Sequence, residues 1–412
     1  MLKTKVCIIL SILFISAVPL AASNAVFNVV KLGAKPDGKT DSTKSFIEAW
    51  AGACGSSDSS TINVPSGRYL IRNGVFKGPC KNADITIRIE GTLIAPSDYN
   101  VIGNSENWLS FQWITGVSIY GGTLDGQGIG LWACKLGNKK CPDGATSLSF
   151  TNSKDIVING LKSLNAQMFH IVINRCENVN MRGLMITASG NSPNTDGIHV
   201  QLSTGVTIMN SGIKTGDDCI SIGPGTKNLW IEHIACGPGH GISIGSLAKN
   251  LDEPGVQNVT VKTVVFTGTQ NGLRIKAWGR PSNGFVKGVV FQHVLMKNVQ
   301  NPIIIDQNYC PRDEGCPNQS RRGDCPGLKS VGLDMISAIY VSGVKISHIT
   351  FQDIQGTSAT KVAVKLDCSP KNPCEGINLE NVKLRYNNQP AVSSCSNADG
   401  SIHGVVEPAG CL

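Results

Sequence analysis

The chain has 412 residues, 41% of them hydrophobic and only 6% aromatic, with a formal charge of +8. This length fits two or three ordinary domains or one long β domain, and any core must be built mostly from Ile, Val and Leu. No Lys/Arg run marks a nucleic-acid patch, and the mild positive charge suits an acidic polymer as readily as it suits an ordinary soluble protein.

The first residues carry the pattern of a signal peptide, assigned here to residues 1–24. Lys3 and Lys5 precede an apolar run from Val6 to Leu20, and the small residues Ala21, Ala22 and Ser23 follow, which predicts cleavage near Ala25. The apolar run is short for a membrane span, and no later stretch is long enough for one. The expectation is a secreted, soluble chain, monomeric, with no membrane or nucleic-acid partner. Removing the leader removes Cys7 and leaves an even number of the 15 cysteines, as an oxidising compartment favours. Cysteines cluster at 134/141, 219/236, 310/316/325, 368/374 and 395/411, but spacing alone does not settle the pairing. No paired CxxC sets point to zinc. Sequons at Asn258 and Asn318 are candidate glycan sites. Next, "DGKTDSTKSFIEAWAGAC" (37–54) places Phe46, Ala49 and Trp50 at helical spacing.

From residue 153 the chain repeats. A turn pair such as Asn178-Val179, Gly205-Val206 or Asn228-Leu229 is followed each time by alternating apolar residues. The anchors Ile156, Val179, Val206, Leu229, Val259 and Val289 are 23, 27, 23, 30 and 30 residues apart, and Val344 and Ile377 continue the series. Period-2 alternation means strand. A repeat this long with several short strands means one coil of a parallel β-helix, each coil stacking on the last at about 4.8 Å. The β-propeller alternative needs about 40–50 residues per blade. The predicted fold is therefore an all-β solenoid over residues 25–412. Its open end needs a cap, and the helical segment at 37–54 is assigned that role.

The repeat aligns four segments: "TDGIHV" (195–200), "DDCISI" (217–222), "GHGISI" (239–244) and "QNGLRIKA" (270–277). Ile198, Ile220, Ile242 and Leu273 then point inward together, with His199, Ser221, Ser243 and Arg274 in the next column outward. Asp196, Asp218, His240 and Asn271 fall in one file, with Asp217 beside it and Lys276 nearby. Strict alternation would turn Asp218 into the core at a cost of several kcal/mol. The chain must bend there, and glycines at 197, 216, 239, 241 and 272 permit it. Clustered acids cannot all ionise independently, so they titrate as a set. One protonated acid beside one ionised acid is what glycoside hydrolysis needs. A calcium site is the rival use of such a cluster, and an acid ladder in an inactive wall-binding protein is the structural alternative.

At these residues the sequence resembles the polygalacturonases, a pectin-degrading glycoside hydrolase family. The motifs are "NTDGIH" (194–199), "GDDCISIG" (216–223), "CGPGHGISIGS" (236–246) and "RIK" (274–276), in that order, with "DQNYC" (306–310) as a further element. The resemblance covers nearly the whole mature chain. It implies a right-handed β-helix, secretion to the cell wall and hydrolysis of α-1,4-galacturonan with inversion, without a cofactor or metal. By motif position it implies Asp217 as general acid, Asp196 and Asp218 as the pair that activates water, and His240 as support for the acid. Arg274 and Lys276 would grip a substrate carboxylate, Asn194 and Tyr309 would position the sugar, and Cys219 and Cys236 would form a disulfide. Coil spacing alone points the other way, to the short carboxylate separation of retaining enzymes. Several stretches, such as "NGLRIKAW", are similar to plant and pollen enzymes, many of them exo-acting. The insertion "CPRDEGCPNQSRRGDCPG" (310–327) is a candidate wall at one end of the groove.

Overall fold

The computed structural model describes residues 24–137, 139–311 and 341–412. The leader, the sequon at Asn318 and most of the 310–327 insertion lie outside the described residues.

The repeat folds as its periodicity requires. One sheet contains eleven parallel strands, one per coil, running from Gly74–Lys77 through Ile198–Gln201, Ile220–Ile222, Ile242–Leu247 and Asn271–Trp278 to Val392–Ser396. The remaining faces are covered by longer strands such as Thr204–Lys214, Lys227–Cys236 and Val256–Thr267, again paired in parallel. Alternation sorts the side chains: along Ile242–Leu247 and its neighbours, Ile198, Ile220, Ile242 and Leu273 are fully buried, as are Val200, Ile222 and Ile244. Branched aliphatic chains suit this bore because each stacks on its counterpart one coil away.

The corners between faces need backbone in the left-handed region. Asn178, Asn228 and Asn258 adopt φ of 54°, 53° and 55° there, which Asn tolerates better than most residues. The corner side chains also bond from coil to coil: Asn178 Nδ2 donates to Asp155 Oδ1 at 2.7 Å and Asn258 Nδ2 to Asn228 Oδ1 at 2.6 Å. The anchors Ile156, Val179, Val206, Leu229, Val259 and Val289 are in register. Val344 is not the next member. Val289 pairs with Ile349, which in turn pairs with Ile377. Gly343-Val344 looks like the earlier turn pairs, but the left-handed corner is at His348, with φ of 56°, so the true pair is five residues later.

The helix Thr43–Gly55 closes the N-terminal end and buries Phe46, Ala49, Trp50 and Ala53. Trp50 meets Phe76 and Phe111 edge-on at 5.7 and 5.5 Å, and Phe76, Phe111 and Phe150 stack along the bore at 4.7 and 4.9 Å. Disulfides join Cys54–Cys80, Cys134–Cys141, Cys219–Cys236, Cys368–Cys374 and Cys395–Cys411. Cys176 is a free thiol, buried so that its pKa rises to about 11, so the even count does not mean that every cysteine is paired. Among the described residues no helix is long and apolar enough to cross a membrane.

Candidate active site

The strands Ile198–Gln201, Ile220–Ile222, Ile242–Leu247 and Asn271–Trp278 set the register of the site. Ile198 pairs with Ile220, Ile220 with Ile242, and Ile242 with Leu273. The residues two places before them, Asp196, Asp218, His240 and Asn271, therefore occupy one file on consecutive coils. The chain bends just before each strand, which keeps Asp218 out of the apolar bore. Gly216 makes the bend possible, since a Cβ there would lie 2.2 Å from the Ser192 carbonyl oxygen. Gly241 has φ of +86° and a Cβ would sit 2.1 Å from the Asn271 carbonyl oxygen. The disulfide from Cys219 to Cys236 ties down the chain immediately after Asp218.

Asp218 is 1% exposed, and both its oxygens are hydrogen-bonded. Its Oδ1 accepts from the Arg274 guanidinium at 2.7 Å and from Ser243 Oγ at 2.8 Å, and its Oδ2 accepts from Lys276 Nζ at 2.8 Å. Burial alone would raise its pKa, but Lys276 and Arg274 overcome that and hold it at about 2. Asp196, on the preceding coil, has the opposite bias. Burial, reinforced by the charges of Asp217 and Asp218, pushes it well above the carboxylate range, and a hydrogen bond from Ser221 opposes the rise. Asp217 is more open. Its Oδ1 accepts from the Asp218 backbone N–H at 2.9 Å and lies 3.0 Å from His240 Nδ1. Oδ2 is thus the oxygen left to carry a proton toward the groove.

These groups line a groove of about 1050 Å³ on the eleven-stranded sheet. Asn194, Asp196, Asp217, Asp218, Lys276 and Tyr309 all border it. Lys276 also lies 5.4 Å from the centre of the Tyr309 ring. Arg274 and Lys276 read from the sequence as an outward pair, yet both are buried and clamp Asp218. Arg274 Nε donates to Ser243 at 2.9 Å and its Nη2 to Asp218, and it is Lys276 rather than Arg274 that borders the groove. His240 sits behind Asp217 and receives a bond from Asn271 on its carbonyl at 3.2 Å.

Asp217, Asp218 and His240 lie close enough to be considered as metal ligands, their donor atoms all within 4.8 Å. The donor set does not fit a divalent cation. Both Asp218 oxygens already hold a cationic partner, and a second positive charge would have to displace Lys276 or Arg274.

Several groove residues carry no sequence signal of a role, among them His199, Ser221, Lys249 and Glu253. His199 and Ser221 were placed in a column but given no role. Lys249 and Glu253 lie in the loop after Leu247, where the Glu253 carboxylate accepts from the backbone N–H groups of Ala248, Lys249 and Asn250 at 2.6, 2.8 and 3.3 Å. Only the fold brings that loop over the groove.

Fold and site together define a right-handed parallel β-helix protein with an acid–base cluster in an open groove. The chain belongs to glycosyl hydrolases family 28, whose profile matches residues 54–323 and 335–407. A polygalacturonase from Prunus persica is 61% identical over 98% of both chains, and an exopolygalacturonase from Platanus acerifolia is 41% identical over 94% of this chain and 98% of that one. Among solved structures, the polygalacturonase of Erwinia carotovora ssp. carotovora superposes with a TM-score of 0.69 at 25% identity, over 92% of this chain and 96% of that one. An endo-xylogalacturonan hydrolase from Aspergillus tubingensis reaches 0.74 at 22% identity, over 93% and 100%, and shares the fold.

Proposed function

We propose that the chain is a secreted polygalacturonase that hydrolyses α-1,4-galacturonosidic bonds with inversion, acting as a monomer in the cell wall. The single observation that supports it best is the opposed bias of Asp196 and Asp218 beside an Asp217 with one oxygen free. Asp217 donates the proton to the leaving oxygen from Oδ2, while the His240 contact holds Oδ1. Asp196, the more basic of the other two carboxylates, takes the proton of the attacking water, and Asp218 stays ionised to orient that water. A proton on Asp217 removes one of the charges that raise Asp196, so protonating the acid helps the base to ionise. Lys276 retains donors toward the groove, beside Tyr309 and Asn194, for a galacturonate carboxylate. Arg274 serves the substrate indirectly, by fixing Asp218.

Early products from polygalacturonate, with and without chelator, test this reading. Full activity in chelator, with no unsaturated product, supports hydrolysis and removes the calcium-lyase alternative. An NMR spectrum showing a retained anomer in the first product would overturn inversion. We favour exo action, from the resemblance to plant exo enzymes. Monomer alone with slow viscosity loss is the expected result, and a spread of oligomers would establish an endo enzyme.

A further inference from the structure

Ser221 and His199 lie beneath the acid cluster, and the mechanism above uses neither. They face each other in register on adjacent strands, and both border the groove. Ser221 Oγ is 2.8 Å from His199 Nδ1, and the same hydroxyl lies close enough to Asp196 to oppose the rise in its pKa. A hydroxyl has only one proton to donate. An ionised Asp196 only accepts, so that proton must go to it. Ser221 Oγ must then accept from the imidazole, which requires the Nδ1–H tautomer.

The surroundings of His199 suit this arrangement. Its ring stacks on Phe169 with centroids 5.4 Å apart, and burial lowers its pKa to about 4. Above that pH it is neutral and carries one N–H. Gln201 opposes the fall in pKa, and an amide accommodates either tautomer because it both donates and accepts. The other edge of the ring faces Gly223, where a Cβ would come within 3.3 Å of Nε2. The charged groups around the pair are accounted for. Asp217 and Asp218 push Asp196 toward its acid form, and Lys276 opposes them. Lys249 and Lys276 disfavour a charged His199, while Asp218 favours it.

We propose that His199 is a positioning residue for hydrolysis: its Nδ1–H donates to Ser221 Oγ, which commits the Ser221 hydroxyl to Asp196 and aims that carboxylate into the groove. This rests on Asp196 being the base. No proton is consumed, because the chain holds the same two protons throughout the cycle.

The test is the pH dependence of kcat on polygalacturonate for wild type, S221A, H199F, H199N and D196N, with thermal unfolding to confirm folding. Loss of the Ser221 donor raises the pKa of Asp196, so the acid limb should move up by about one pH unit in S221A, and by less in H199F, which keeps the hydroxyl but loses the bond that orients it. H199N, whose amide N–H can replace Nδ1–H, should return the limb toward wild type. A uniform fall in kcat with the limb unmoved would overturn the proposal and leave His199 as a packing residue. An inactive D196N with that unmoved limb overturns this proposal alone. An active D196N overturns the assignment of the base, and the proposal with it.

Discussion

Asp196 and Asp218 occupy the same place on consecutive coils, yet they are pushed in opposite directions. The difference lies in what each faces: Asp218 bonds directly to Arg274, Lys276 and Ser243, whereas Asp196 is buried beside two other acids, with only the Ser221 hydroxyl and the more distant charge of Lys276 to oppose them. Two predictions belong at this scale. A group whose folded pKa is raised contributes stability below its unfolded pKa, and that contribution is lost as pH rises through the folded value. Ionised Asp196 therefore costs stability at neutral pH. D196N should melt at a higher temperature than wild type at pH 7, with the gap closing as pH falls, while its kcat drops by about 10³-fold. Equal melting temperatures across pH would show that Asp196 is not held above its normal range. The second concerns the clamp. K276A leaves Asp218 short of one buried partner and should cost about 3–5 kcal/mol in denaturant unfolding. A loss below ~1 kcal/mol would mean that Arg274 satisfies the carboxylate alone.

At the scale of elements, the site depends on strands held in register and on ends that stay closed. The Cys219–Cys236 disulfide closes a segment whose ends are 17 residues apart, directly behind Asp218. Replacing both cysteines by Ala should cost about 3 kcal/mol and lower activity more than removal of Cys395–Cys411, which lies far along the chain. Equal activity in the two double mutants would separate the disulfide from the site. The cap helix Thr43–Gly55 depends on Trp50 packed against the phenylalanine stack. W50A should cost about 3–5 kcal/mol, measured as a shift in the unfolding midpoint, with kcat of the folded enzyme unchanged.

For the molecule as a whole, falling pH acts on the fold through buried groups whose pKa values are lowered. His170 is fully buried, bonded through Nδ1 to Ser163 with its Nε2 unpartnered, and burial lowers its pKa to about 3. Its folded pKa lies below the ordinary value near 6.5, so the unfolded chain binds more protons between those limits and stability falls as pH drops through that window. Asp218, held at about 2, adds a loss of the same sign below about pH 4. His170 and Asp218 should therefore lower the unfolding free energy from pH 6.5 toward 3, with Asp196 acting in the opposite sense as it takes up its proton. H170Q should flatten the upper part of that decline, and an unchanged slope would mean that His170 is protonated in the native state. These slopes run against the acidic activity optimum that a protonated Asp217 implies.

The solenoid was legible in the sequence because its physics is local and repeated. Period-2 alternation, turn pairs with Asn or Gly, and a near-constant coil length each recur often enough to be read without neighbours, and the register of Asp196, Asp218, His240 and Asn271 followed from them. The slip at Val344 shows the limit: Gly343 and His348 both suit a left-handed corner, and only pairing with Val289 decides between them. The site was legible as a set of residues but not as a set of contacts. Arg274 and Lys276 were legible as groups for a substrate carboxylate, but not as the clamp on Asp218, 56 and 58 residues away, that stacking of coils creates. The roles of His199 and Ser221, and the loop held by Glu253, were likewise invisible. A hydrogen bond between coils depends on side-chain direction and burial, and burial exists only once the coils are stacked. The sequence alone determined that the chain is a β-solenoid with acids in one file. The tertiary structure decided which of those acids is held ionised, because the cations that hold it come from another coil.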